Sequence, residues 1–308
     1  MPEDPQERCP SEPKQTPKRF WRLALTALVL AVVGILYRLI VLGHLEQTAL
    51  MFTGLPLILA ILVSLIPPSK TVTGMIMMGI TYFLLLLGIL LVEGFICILM
   101  ASPLFYAIGF IVGIFADRAR AQKDINKHFR MIIIPALALV SLEGITGALS
   151  FPRDEKITIT REFPMSLTES RKQLAKGPNF DLKELPPFLK LGFPTPQTIE
   201  GTGIETGDTW KIHFAGGEGK PGDFLATVVA SNDNHIRVMR TRDTSHIAHW
   251  LDWQEAEWKL EPTSAGTSIT LTIRYRRLLD PAWYFKPIER YGVKKAGEYF
   301  LSQTYQNR

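Results

Sequence analysis

The stretch that decides the fold is "EWKLEPTSAGTSITLTIRYRR", residues 257–277. Its second half alternates without a break. Ile269, Leu271, Ile273 and Tyr275 fall on one face, and Thr270, Thr272, Arg274 and Arg276 fall on the other. Side chains of an extended chain point to opposite faces in turn, so this is a strand with one dry side and one wet side. A second strand-like segment, "HWLDWQEAEWKLEP" (249–262), runs into it through the turn residues "TSAG". Together they form a hairpin.

Working outward, the same two-residue period recurs. "KITITREFPMSL" (156–167) alternates Ile157, Ile159 and then Phe163 against Thr and Arg. "TESRKQLAKGPNFDLKELPPFLKLG" (168–192) reads as two short helices broken by "KGPN" and "PP", with Thr168 as cap and Leu182, Leu185, Phe188 and Leu189 as apolar contacts. Four more strand-like segments follow: "QTIEGTGI", "DTWKIHF", "GDFLATVVA" and "HIRVMRT". The chain closes on "DPAWYFKPIERYGVKKAGEYFLSQ" (280–303). There Asp280 sits at a cap position, Pro281 in the first turn, and Ile288, Tyr291, Gly292, Ala296, Tyr299 and Phe300 make an apolar stripe. Pro287 is expected to break the first part of this helix from the second. The order is strand, two short helices, six strands and a long amphipathic helix.

Residues 20–150 have a different chemistry. Five apolar runs, 21–42, 50–66, 72–92, 95–115 and 131–149, are mostly close to the length that a helix needs to cross about 30 Å of hydrocarbon. The sequence predicts a membrane domain of about five transmembrane helices. The first run has a basic start but no A-x-A-like cleavage site, which favours a signal anchor over a cleaved signal peptide. Residues 1–19, rich in Pro and charge, read as a disordered cytoplasmic tail. Lys14, Lys18, Arg19, Arg22, Lys70 and the basic residues of "DRARAQKDINKHFR" lie on one side of the predicted spans. Loops on the other side carry no Lys or Arg; Arg38 is the dissenter, near enough to a helix end to snorkel. The positive-inside rule then puts the N-terminus in the cytoplasm and the domain at 151–308 outside, periplasmic or extracellular, in an integral protein of the plasma or inner membrane. A miscounted span, the short second run above all, would reverse that side. Glu93 sits at a hairpin. Glu143, inside the fifth run, is the membrane carboxylate to examine. Pro103 and Pro135 should kink their helices.

The overall figures, 308 residues, net charge +5 and 47% hydrophobic, average these two parts, and the basic residues are placed for a membrane rather than for nucleic acid. Cys9 and Cys97 are the only cysteines, so there is no disulfide framework and no Cys-based metal site. Neither a cofactor motif nor a nucleophile motif such as G-x-S-x-G occurs. "GGEGKPGD" (216–223) reads as a hairpin loop rather than a phosphate cradle, and Arg237, Arg240 and Arg242 as a solvated strand face.

The element order and the hairpin at 257–277 resemble the START-like helix-grip superfamily, which includes polyketide cyclases, lipid-transfer domains and birch-pollen-allergen-like proteins. The resemblance covers about residues 152–305. It implies an α+β domain in which a curved antiparallel sheet wraps the long closing helix around an apolar cavity. It also implies a hydrophobic, lipid-like ligand there, with the bilayer as the other partner and an envelope protein as a further one. The cavity wall would be built from Trp250, Asp252, Trp258, Ile273, Tyr275, Tyr291 and Tyr299. If "HWLDWQEAEWKL" is one strand, then Trp250, Asp252, Gln254, Ala256, Trp258 and Leu260 share its inner face. His246 and His249 then fall on opposite faces, which argues against a metal site. Two alternatives stay open: a cyclase- or hydrolase-type enzyme with Asp252 or His249 as general base, and a protein-interaction module whose interior is filled by side chains.

Overall fold

The computed structural model describes residues 69–90, 95–121, 143, 151–216 and 220–305. The expected tail, the apolar runs at 21–42 and 50–66, and the run at 131–149 apart from Glu143 lie outside the described residues, as do Arg38, Glu93 and Pro135. The described chain forms two compact units. One holds 69–90 with 105–117, and the other holds 95–104, 118–121, 143 and 151–305.

Helix α2 spans Phe95–Ala121, and in the first unit helix α1 (Val72–Leu90) packs on its residues 105–117. The third and fourth apolar runs are therefore helices, the second running six residues beyond Phe115 and uninterrupted through Pro103. Free N–H groups at the start of α1 need acceptors. Asp117 of α2 supplies them, taking the Val72 and Thr73 amides at 2.5 and 3.0 Å and the Thr73 hydroxyl at 2.6 Å. Gly113 permits the close approach that this needs, because a Cβ there would fall 2.6 Å from Thr73 Cα. Thr81 and Tyr106 hydrogen-bond between the helices at 2.8 Å.

The second unit carries the domain. Strand β1 (Asp154–Phe163) leads to α3 (Leu167–Lys176), whose first turn is capped by Ser166, not Thr168: the Ser166 hydroxyl accepts the Glu169 N–H at 3.2 Å. The expected second helix is only two single 3-10 turns, Leu182–Glu184 and Leu189–Leu191. Paired prolines at 186 and 187 deny the backbone donors that a longer helix would use. Six strands follow: β2 (Pro196–Glu200), β3 (Thr209–Phe214), β4 (Gly222–Ser231), β5 (His235–Asp243), β6 (Leu251–Thr263) and β7 (Gly266–Arg277). All pair antiparallel in one seven-stranded sheet ordered β1-β7-β6-β5-β4-β3-β2.

Helix α4 (Ala282–Tyr305) closes the chain and is continuous through Pro287. Pro287 is the sixth residue of the helix, so its missing N–H removes a single early hydrogen bond, and packing against the sheet holds the rest. The core forms where α4 meets the strands. Val293 and Leu301 are buried against Ile157 and Ile159 of β1 and Ile269, Leu271 and Ile273 of β7, each such side chain contributing about 2 kcal/mol. Gly297 brings helix and sheet together: a Cβ there would lie 2.5 Å from Ile159 Cδ1. Asp280 does not cap α4 as its position suggested. The Ala282 N–H is taken instead by the Glu143 carboxylate at 2.9 Å.

Candidate functional site

Between the sheet and α4 lies a partly open cavity of about 670 Å³. Apolar side chains dominate its wall, with Phe180, Phe193, Trp210, Trp253, Trp258 and Phe300 supplying the aromatic part. Helix α4 contributes Phe285, Ile288, Glu289, Gly292, Val293 and Ala296. Cys97, Met100 and Ala101, from the part of α2 in the same compact unit, border it, and the Tyr284 hydroxyl donates to the Met100 carbonyl. The interior is not filled by side chains.

The wall at β6 departs from the simple alternation read from sequence. Residues 246–249 form a 3-10 turn and the strand begins only at Leu251. Trp253 pairs with Tyr275, but Glu255 pairs with Arg274, so Gln254 is an extra residue, a β-bulge. A bulge shifts the two-residue period by one. Ala256, Trp258 and Leu260 face inward as expected, but before the bulge the inward residues are Leu251 and Trp253. Asp252 is turned to the outer side, where it pairs with Arg240 at 2.8 Å while Arg240 Nε donates to the Trp253 carbonyl.

Trp250, Trp258, Ile273 and Tyr299 line the cavity, and His249 lines it too; Asp252, Tyr275 and Tyr291 do not. Tyr275 lies wholly buried in the sheet layer, its ring against Trp253. Tyr291 is half exposed and packs edge-on against the outside of Phe188, whose ring contacts Phe193 of the wall. Tyr299 donates its hydroxyl to the Asp181 carbonyl at 3.0 Å, and burial pushes its pKa up to about 12. The 3-10 turn brings the His246 and His249 rings to 4.9 Å, not to opposite faces, and His246 meets Trp250 edge-on.

Beside the apolar wall is a buried polar cluster, of which the sequence reading singled out Glu143 as a membrane carboxylate and Asp280 as a helix cap but not their pairing with Arg277. Arg277, fully buried, donates to Asp280 at 2.6 Å and to the Leu279 carbonyl, and lies 3.8 Å from Glu143. Asp280 also holds Arg153. Glu143 is thus a buried partner of Arg277 and of the first turn of α4. Glu155 is buried as well. Burial raises its pKa, but hydrogen bonds and charge from Lys286 and Arg290 together outweigh burial and hold it below the usual carboxylate range.

Glu289 differs from these. It lines the cavity, is 6% exposed, and neither carboxyl oxygen makes a well-formed hydrogen bond among the described residues. Burial pushes its pKa up to about 8, against the opposing pull of Arg277 and the Leu279 backbone. The sequence did contain a signal. Phe285, Glu289, Val293, Gly297 and Leu301 are spaced by four, so they form one helical stripe, and a carboxylate interrupts that otherwise apolar face.

No protein-family model matches the chain, and no curated protein matches it. Solved structures similar to it include TTHA0849 from Thermus thermophilus, at 17% identity over 49% of this chain and 94% of that one, with a TM-score of 0.35. Ara h 8.0201 is similar at 14% identity over 48% of this chain and 99% of that one, with a TM-score of 0.31. The di-domain ARO/CYC StfQ from the steffimycin biosynthetic pathway is similar at 8% identity over half of each chain, with a TM-score of 0.37. The order of elements, the antiparallel sheet with β1 beside β7 and the long closing helix agree with the α+β architecture that the sequence resemblance implied.

Proposed function

We propose that residues 151–308 bind a hydrophobic small molecule, lipid or lipid-like, between the sheet and α4, in a chain anchored in a bilayer. The cavity carries this reading. Its volume is that of small-molecule sites in general, and its wall is apolar with few polar groups. Burying about 300 Å² of apolar ligand surface at about 25 cal/mol per Å² would supply roughly 7 kcal/mol before the entropy of binding is subtracted.

The membrane part rests on α2. Among the described residues one helix, Ile96–Arg120, is long and apolar enough to cross a membrane. Its Phe105, Ile108, Phe110 and Ile111 are exposed, as lipid-facing side chains would be. Arg118 and Arg120 in its last turn support that end as the cytoplasmic one, and a further span at 131–149 would carry the domain to the outer side. A ligand passing from bilayer to cavity would then meet little water.

Native mass spectrometry of the full-length protein in mild detergent tests the binding. The expected result is a hydrophobic adduct that is lost in Ala296→Trp, which fills the cavity. An adduct retained at full occupancy by that variant would place the molecule elsewhere and remove the reading.

One observation favours catalysis in the same cavity as a second reading: the Glu289 carboxyl is buried in the cavity wall, and that burial pushes its pKa up to about 8, within the range of a general acid or base. His249 also lines that wall and Asp252 does not. A co-purified molecule that the protein converts on incubation would move this reading to first place.

A further inference from the structure

Two polar side chains of the cavity wall make no well-formed hydrogen bond among the described residues: Glu289, whose carboxyl has only the Leu279 backbone near it, and Trp258 at Nε1. Both are more than nine-tenths buried. A buried polar group without a partner is destabilising, by about 1–3 kcal/mol for a neutral one. Such a group is rare in a native interior, and its position in a ligand-sized space supplies a reason for it. We propose that Glu289 is the polar anchor of this cavity and that the molecule it selects is uncharged and hydrophobic, carrying a hydrogen-bond-accepting oxygen such as a carbonyl. The inference rests on the cavity being a ligand site and names the ligand's chemistry.

The surroundings of Glu289 exclude the charged alternatives. Arg277, Asp280, Glu155 and Tyr275 are the ionisable groups whose fields reach it. Arg277 is matched by Asp280 at 2.6 Å and does not line the cavity; Arg240 and Glu255, which do, are paired with Asp252 at 2.8 Å and Arg274 at 3.5 Å, so none of them is a free docking point for a charged ligand. A cationic ligand would need Glu289 ionised, against its burial and with Arg277 close by to repel the cation. Protonated Glu289 presents one O–H to the cavity. That donor suits a carbonyl, ether or hydroxyl oxygen and gives nothing extra to a hydrocarbon. Its raised pKa keeps that proton in place at neutral pH.

Four probes of one shape test this: 2-acetylnaphthalene, 2-ethylnaphthalene, 1-(2-naphthyl)ethylamine and 2-naphthoate. Binding to the full-length protein in detergent is read from quenching of tryptophan emission, since Trp250, Trp253 and Trp258 line the cavity. Partition into protein-free micelles is measured separately and subtracted. The ketone should bind about tenfold more tightly than the hydrocarbon, the size of one good buried hydrogen bond. Glu289→Leu should reduce that preference to less than twofold, while Glu289→Gln, whose amide still donates, should keep most of it. Equal binding of ketone and hydrocarbon, tightest binding of the amine or the carboxylate, or a preference that survives Glu289→Leu would each overturn the anchor and leave the cavity reading intact. Failure of every probe to bind would instead sink the cavity reading, and the anchor with it.

Discussion

Arg277 and Asp280 face each other across 2.6 Å, and Arg277 has no solvent exposure at all. A guanidinium so placed is held by its carboxylate and by the Leu279 carbonyl, with Glu143 standing 3.8 Å off. Asp280→Ala leaves the cation buried and poorly compensated, and should destabilise the domain by about 3–5 kcal/mol. Urea unfolding followed by near-ultraviolet dichroism measures it. A loss below about 1 kcal/mol would mean that Glu143 alone suffices.

Glu289 makes stability depend on pH in a defined direction. Its folded pKa of about 8 lies above the ordinary value of 4.5, so the folded state holds a proton that the unfolded state releases between those two values. Its favourable contribution is fully present below about pH 4.5 and is lost as pH rises to about 8. Glu289→Gln should therefore be more stable than the parent at pH 7, by roughly 3 kcal/mol, with no such gap near pH 4. Parallel thermal melts at the two pH values give the comparison, and a gap independent of pH would contradict the assignment.

On the outer surface, His213 sits between Glu200 at 2.8 Å and Asp223 at 2.5 Å. The Glu200 hydrogen bond, then that of Asp223, raises its pKa above 6.5. The stabilisation from this charged trio is complete below pH 6.5 and fades as pH climbs through the raised value. Glu200→Gln should lower the His213 midpoint in an NMR titration, and an unmoved midpoint would refute the pairing.

Deleting Gln254 should erase the bulge in β6 without turning any face over. Trp253 would then directly precede Glu255, so Leu251 and Trp253 stay inward and Asp252 stays outward, and stability should change by no more than about 1 kcal/mol. Unshifted tryptophan emission with a nearly unchanged unfolding midpoint is the expected signature. Red-shifted emission with an earlier midpoint would mean that the bulge does not set the faces of the strand.

That bulge marks where the sequence stopped being legible. From Ala256 to Tyr275 the two-residue period is unbroken, and both strands and their inward faces could be read directly. One inserted residue reverses every face before it, and nothing in "LDWQEAEW" distinguishes a bulged strand from a regular one. The order of elements was legible because each strand carries its own alternation. The second short helix was not: the break at Pro186 and Pro187 was read, but not that it leaves only single 3-10 turns on either side. Tyr291 shows the limit of a helical stripe: it sits next to Gly292 of the cavity wall but faces outward onto Phe188. Glu289 escaped notice because a lone carboxylate on a helix reads as solvated until burial is known.

The position of β1 has a consequence for how the domain comes into being. Among the described residues it is the first strand made, and its one partner there is β7, with Asp154 opposite Arg276 and Phe163 opposite Thr267, roughly 100 residues or more further along the chain. The next strand, β2, lies at the far edge, six strand spacings or about 29 Å away. During synthesis at about 10 residues per second, β1 waits on the order of 10 s with Ile157 and Ile159 uncovered. Closing the sheet is therefore a late, long-range step, slow by the entropy of the loop it must draw shut. Lys156 and Arg161, exposed on this strand, carry the charge that disfavours pairing with a neighbouring chain in the meantime.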